Sequence, residues 1–180
     1  MNPGRSPPVR SLGDVKRAAG APSMSKIDVF VSFDIEHDED LYELLLAQSG
    51  TPSSGFAVSG GSERLEATDV WNERGRRRIR EADQVIVICS EHTEASMRVS
   101  AELRMAQEEG TPYFLVWGRR DIMCTKPIGA KPAEGMYSWT RQILQDQITF
   151  TSRRTGADVA AQIQRNSTRQ DQSNPSGVAP

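Results

Sequence analysis

The apolar positions of this chain change period from one short segment to the next. Ile27 to Phe33 (IDVFVSF) is rich in β-branched and aromatic residues, as a strand inside a sheet requires. After an acidic turn from Asp34 to Asp40, Leu41, Leu44 and Leu45, with Ala47 nearby, take up a helical spacing that ends at Ser49-Gly50. Phe56-Ala57-Val58 reads as a short second strand closed by Gly60-Gly61, and 62–70 as loop, with Asp69 a candidate helix cap. Trp71, Gly75, Ile79 and Ala82 then share a helix whose other face carries Arg74, Arg76, Arg77, Arg78 and Arg80.

The densest pattern follows. Val85 to Cys89 runs almost without polar residues, Val99, Leu103 and Ala106 recur at helical spacing up to Gly110, and Tyr113 to Trp117 is a second apolar run. Buried strands of this kind, alternating with helices, are the mark of a parallel α/β sheet. Residues 119–134 are irregular and broken by Pro127, Gly129 and Pro132. Met136 to Trp139 reads as an edge strand, and Thr140 as the cap of a last helix through Ile143, Leu144 and Ile148. The expected architecture is a doubly wound sheet of about five strands. Its ligand site lies outside the carboxyl ends of the strands, where the winding reverses.

Composition narrows this little, but the distribution of charge helps. The formal net charge of the 180 residues is −2, which does not suggest a nucleic-acid binder. Basic residues dominate both ends: Arg5, Arg10, Lys16 and Arg17 against Asp14, and Arg153, Arg154, Arg165 and Arg169 against Asp158 and Asp171. An acidic domain over 24–150 is therefore expected between a basic, disordered arm (1–23) and a polar, largely disordered tail (151–180), with a brief helical stretch at Ala157 to Ile163. Met24, directly before the folded pattern, leaves open a chain start there. Apolar runs are strand-sized, far short of the roughly 20 residues of a membrane span. With Cys89 and Cys124 forming no disulfide framework, a cytoplasmic protein with no membrane contact is expected.

Several chemistries can be set aside. No GxGxxG or GxxxxGK[ST] follows the first strand, and the third ends in Cys89-Ser90 where a phospho-receiver domain has an aspartate. The phosphate-binding Ser/Thr/Gly loop that a flavin-binding flavodoxin needs after the first strand is missing too. His37 and His92 have no second ligand at useful spacing, so no metal centre is expected. Cys89, inside a strand, reads as a small hydrophobe rather than a nucleophile. Glu102 remains: it sits at the edge of the Val99–Leu103–Ala106 stripe, in about the third turn of a helix that starts at the ligand edge. From there it faces a pocket built by Phe33, Asp34 and Trp71. The aromatic residues suit stacking on a flat heterocycle, and a carboxylate beside them suits ribose hydroxyls or positive charge developing at an anomeric carbon. The arginine face fits either phosphate contact or plain solvation.

Four segments, VFVSFDIEHDEDL (Val29–Leu41), WNERGRRRIREADQVIVICSEHT (Trp71–Thr93), VSAELRMAQEEGTPYFLVWGRR (Val99–Arg120) and GAKPAEGMYSW (Gly129–Trp139), carry a resemblance. In order and spacing, over about Lys26 to Ile148, the chain resembles the TIR-like family that includes the TIR subunit of the bacterial Thoeris antiphage system. The resemblance implies a flavodoxin-like, five-stranded parallel sheet flanked by helices. It implies NAD as a substrate rather than a cofactor, and Glu102 as the catalytic residue. It places Ser32, Phe33 and Asp34 in the NAD site, with weaker carry-over to Trp71 and His92. It further implies a cyclic ADP-ribose isomer as product, a separate effector responding to it, and a homo-oligomer. A non-catalytic interaction module is the alternative the residues leave open.

Overall fold

The computed structural model describes residues 26–64 and 69–153, with the backbone alone for Asp69, Val70 and Trp71. The arm, the helical stretch at 157–163 and the tail expected from sequence lie outside the described residues. Five strands and four helices alternate as β1 (Ile27–Ser32), α1 (Glu39–Ser49), β2 (Phe56–Gly61), α2 (Asp69–Glu81), β3 (Gln84–Cys89), α3 (Met97–Glu108), β4 (Tyr113–Trp117), β5 (Met136–Ser138) and α4 (Arg141–Thr151). All strand pairs are parallel, in the order β2-β1-β3-β4-β5. This is the flavodoxin-like winding, whose direction reverses between β1 and β3.

β3 lies at the centre and every one of its residues is buried, which its unbroken Val/Ile run dictates. The two faces of the sheet make separate cores. On one, Phe30, Val85 and Val87 meet Ile79 of α2 and Val99, Leu103 and Ala106 of α3. On the other, Val29, Val31 and Ile86 meet Leu41 and Leu45 of α1 and Leu144 and Ile148 of α4. Successive residues of β1 alternate between these cores, as the pleat requires.

Three local readings change. Leu44 is half exposed, and α1 buries Leu41, Leu45 and Ser49 instead, a stripe of one residue in four. β2 extends to Gly61, beyond the expected Val58, because Gly60 and Gly61 lie flat against Phe30 and Tyr42, where a Cβ would be crowded. α3 begins at Met97, which puts Glu102 in its second turn rather than its third. The capping role of Thr140 is as expected: its hydroxyl accepts from the Ile143 amide at 3.2 Å. Beyond α4, Arg153 returns to the sheet: its amide donates to Asp83 O and its guanidinium to Arg80 O and Thr111 Oγ1. Among the described residues no helix is long and apolar enough to cross a membrane.

Candidate active site

Glu102 is 1 % exposed, so it belongs to the packed face of α3 rather than its edge. Val99, Glu102, Leu103 and Ala106 are spaced i, i+3, i+4, i+7, which is one helical face. A carboxyl group sealed in this way needs hydrogen bonds. Ser32 Oγ, at the end of β1, donates to Glu102 Oε2 at 2.6 Å, and Ser62 Oγ, just past β2, donates to the same oxygen at 2.6 Å. Ser62 in turn accepts from the Phe33 amide at 3.1 Å. Oε1 makes no hydrogen bond among the described residues. Burial pushes the carboxyl up from 4.5 to about 7, against the two hydroxyls and Arg98, which pull it down, and with Glu63, which pushes it further up. Near neutral pH both ionisation states are therefore populated.

Above this group an open pocket of about 470 Å³ lies between the β1–α1 loop and the first turns of α3. Asp34, Ile35 and Glu36 form one wall, Asn72 of α2 another, and Met97, Arg98 and Ala101 of α3 the third. Arg98 stands one turn before Glu102, and Ala101 is its neighbour. Glu102 itself is not part of the pocket wall. The short segment Ser62-Glu63-Arg64 is tied to the elements around it: the Glu63 carboxylate pairs with Arg74 and Arg78, its carbonyl accepts from Arg98, and Arg64 reaches Ile35 O at 3.3 Å.

The residues singled out from sequence fall into two groups. Ser32 and Glu102 are in direct contact, and Phe33 joins them through its backbone amide. The Phe33 ring is buried and stacked on Tyr42, with centroids 4.6 Å apart and planes 7° from parallel, so it is already engaged in the core. Asp34 lines the pocket, and its Oδ1 accepts from the Glu36 amide and lies 3.1 Å from His37 Nδ1. His37 stacks on His92 at 3.9 Å between centroids, and His92 Nε2 is 3.1 Å from Glu91. His92 thus connects to the pocket only through His37 and Asp34, and it does not line the pocket itself. The side chain of Trp71 and the capping role of Asp69 lie outside what is described.

Ser62, expected only as part of the loop 62–70, is a site residue that the sequence does not single out. One signal stands in the chain: it follows the end of a strand at the same sheet edge as Ser32. The arginine face of α2 also becomes concrete. Arg76 pairs with Glu108 and Glu109 at 2.7 and 3.0 Å, and Arg74 and Arg78 with Glu63, so this face joins α2 to α3 and to the segment after β2. Cys89 is fully buried, and burial pushes its thiol up to about 12, where it is no nucleophile at neutral pH.

The model of the family described as Thoeris protein ThsB, TIR-like domain, matches residues 30–121, from β1 to just past β4. The chain belongs to this family. Its match spans the elements that carry Ser32, Ser62 and Glu102, and it agrees with the five-stranded, doubly wound sheet. Among curated proteins, none matches the chain.

Proposed function

We propose that this protein cleaves the nicotinamide–ribose bond of NAD and closes the remaining ADP-ribose into a cyclic isomer that signals in antiphage defence. Membership in the Thoeris TIR-like family supports an NAD-related signalling role. The observation that carries the enzymatic reading is the half-anchored carboxyl of Glu102. One oxygen is held by two hydroxyls, the other has no hydrogen bond among the described residues, and the group sits at the reversal point of the sheet beside a pocket.

The nicotinamide riboside end of NAD enters the pocket between Asp34 and Arg98. Glu102 Oε1 meets the hydroxyls of that ribose. The C1′–N bond breaks with its electron pair leaving on nicotinamide, and the ionised carboxylate stabilises the positive charge developing on the sugar ring. A hydroxyl oxygen of the adenosine half then bonds to C1′ and gives up its proton, closing the ring. Proximity favours this over attack by water, which yields ADP-ribose. The cyclic product passes to a separate effector.

Incubation with NAD and separation of products by mass tests the reading. The expected result is release of nicotinamide together with an isomer of ADP-ribose, lost in Glu102→Gln. Absence of both, also in extracts of phage-challenged cells, overturns it.

The depth of Glu102 favours a second reading. A carboxyl 1 % exposed and outside the pocket wall suits a non-catalytic interaction module in which Glu102 serves the fold. A stable co-purifying partner without NAD turnover is the result that supports it.

A further inference from the structure

We propose that Ser62 is the positioning residue of this site: with Ser32 it clamps Oε2 of Glu102 and so makes Oε1 the oxygen presented to substrate. This deepens the NAD reading and rests on it for its catalytic meaning, but the clamp itself is a property of the chain.

The argument begins with the register of the sheet. Between β1 and β2 the pairing slips by one residue: Val29 is level with Val58, but Phe30 is level with Gly60. Ser59 is the extra residue, a bulge of a kind uncommon between parallel strands. Carried on through Val31 and Gly61, the slip brings Ser62 level with Ser32. Level residues on neighbouring strands point to the same face, and Ser32 faces α3. Without the bulge Ser62 would stand level with Phe33, whose ring packs on the opposite face with Tyr42. One inserted residue therefore turns the Ser62 hydroxyl toward Glu102.

Hydrogen-bond directions do the rest. A serine hydroxyl has a single proton to donate. Ser62 accepts from the Phe33 amide, which leaves that proton for Glu102. With Ser32 donating to the same oxygen, Oε2 has two donors at 2.6 Å each, the spacing of charge-assisted bonds. A carboxyl proton on Oε2 would have to displace one of them. The proton is therefore carried by Oε1, and so is the freedom to meet a ligand. The neighbouring Glu63 ties, to Arg74 and Arg78 on α2 and to Arg98 on α3, hold Ser62 in place.

The experiment follows the Glu102 carboxyl by 13C NMR titration of the full chain, with its resonance assigned by its loss in Glu102→Gln. Removing one donor to the anion raises the midpoint. The expected shift is about one pH unit upward in Ser62→Ala and in Ser32→Ala, with Ser62→Thr returning to the wild-type curve. NAD turnover is measured in parallel. The expected effect of Ser62→Ala is at least a tenfold fall in kcat, little change in KM, and an acid limb moved in the same direction as the carboxyl midpoint. A folded Ser62→Ala protein that titrates as wild type overturns the clamp. Unchanged wild-type NAD with a shifted titration overturns the enzymatic reading and leaves the clamp standing.

Discussion

Arg119, just past β4, holds its guanidinium 3.5 Å from Asp38 at the entrance to α1, and among the described residues neither oxygen of Asp38 has a hydrogen-bond partner. The same guanidinium reaches both oxygens of Asp40 at 2.9 and 3.1 Å and the carbonyl of His37. One side chain thus ties the loop that carries Asp34 to the exit of β4. Asp38 is fully buried, and burial pushes its carboxyl above the ordinary range although the nearby Ser90 hydroxyl and Arg119 draw it down.

Arg119→Ala should destabilise the fold by about 2–3 kcal/mol at pH 8, because it strands a buried carboxylate. An Asp38→Asn change should relieve much of that loss, so the double variant should be more stable than Arg119→Ala alone. The sign with pH follows from the raised pKa. The folded state binds the Asp38 proton more tightly than the unfolded chain, so the penalty is small at pH 4 and grows as the pH rises through the raised value. Denaturant titrations of the three variants at pH 4 and 8 measure both effects. Equal stabilities for Arg119→Ala and wild type at pH 8 would contradict the pairing.

Gly118 is a second fixed point of the same edge. Its amide donates to Cys89 O at 2.8 Å, and a Cβ here would stand 2.8 Å from that same carbonyl oxygen and 2.8 Å from Leu41 Cδ1. The carbonyl is sheet backbone and cannot swing aside. Gly118→Ala should cost roughly 1–3 kcal/mol, as overpacking does. Gly55→Ala, where a Cβ meets nothing within 4 Å, is the matched control and should be close to neutral. Thermal melts of the pair compare them directly.

Order and type of the elements could be read because strand and helix periods change sharply along this chain. The unbroken Val85–Cys89 run had no other plausible place than the centre of a parallel sheet. Glu102 is legible as a candidate but not in its depth, since a charged residue reads most simply as the edge of an apolar stripe. Its spacing to Val99, Leu103 and Ala106 already put it within the face. Ser62 was hidden for a different reason. Its orientation depends on a one-residue slip between β1 and β2, and nothing in the order of amino acids around Gly60-Gly61 announces which residue is extra. The Phe33 ring, expected to stack on a ligand, is engaged by Tyr42 of α1 instead. Only the packing of α1 on β1 reveals the stack.

The two thiols should be silent in the native protein. Cys89 is sealed in β3 with its thiol pushed up to about 12, and Cys124 is buried in the same core. Reactivity requires thiolate and access: Cys89 has neither, and Cys124 lacks access. Alkylation with iodoacetamide at pH 8 should leave both unmodified by intact-mass measurement and should label both after denaturation. Fast native labelling of Cys89 would revive a nucleophilic role.

The last prediction concerns what the site costs the fold. The carboxyl of Glu102 is raised from 4.5 to about 7, so the folded state binds its proton more tightly than the unfolded chain does. Its contribution to stability is therefore fully present below pH 4.5 and is lost as the pH rises through about 7. Above that the buried anion costs about 3 kcal/mol, from a shift of this size at 1.36 kcal/mol per unit. Glu102→Gln keeps an acceptor for Ser32 and Ser62 and removes the charge. It should melt higher than wild type at pH 8, lose that advantage at pH 5, and release no nicotinamide at either. A residue kept only for packing would not show a gain in stability on neutralisation together with a loss of turnover. If Glu102→Gln melts lower at pH 8 as well as at pH 5, the buried carboxylate is not the strained group its surroundings indicate.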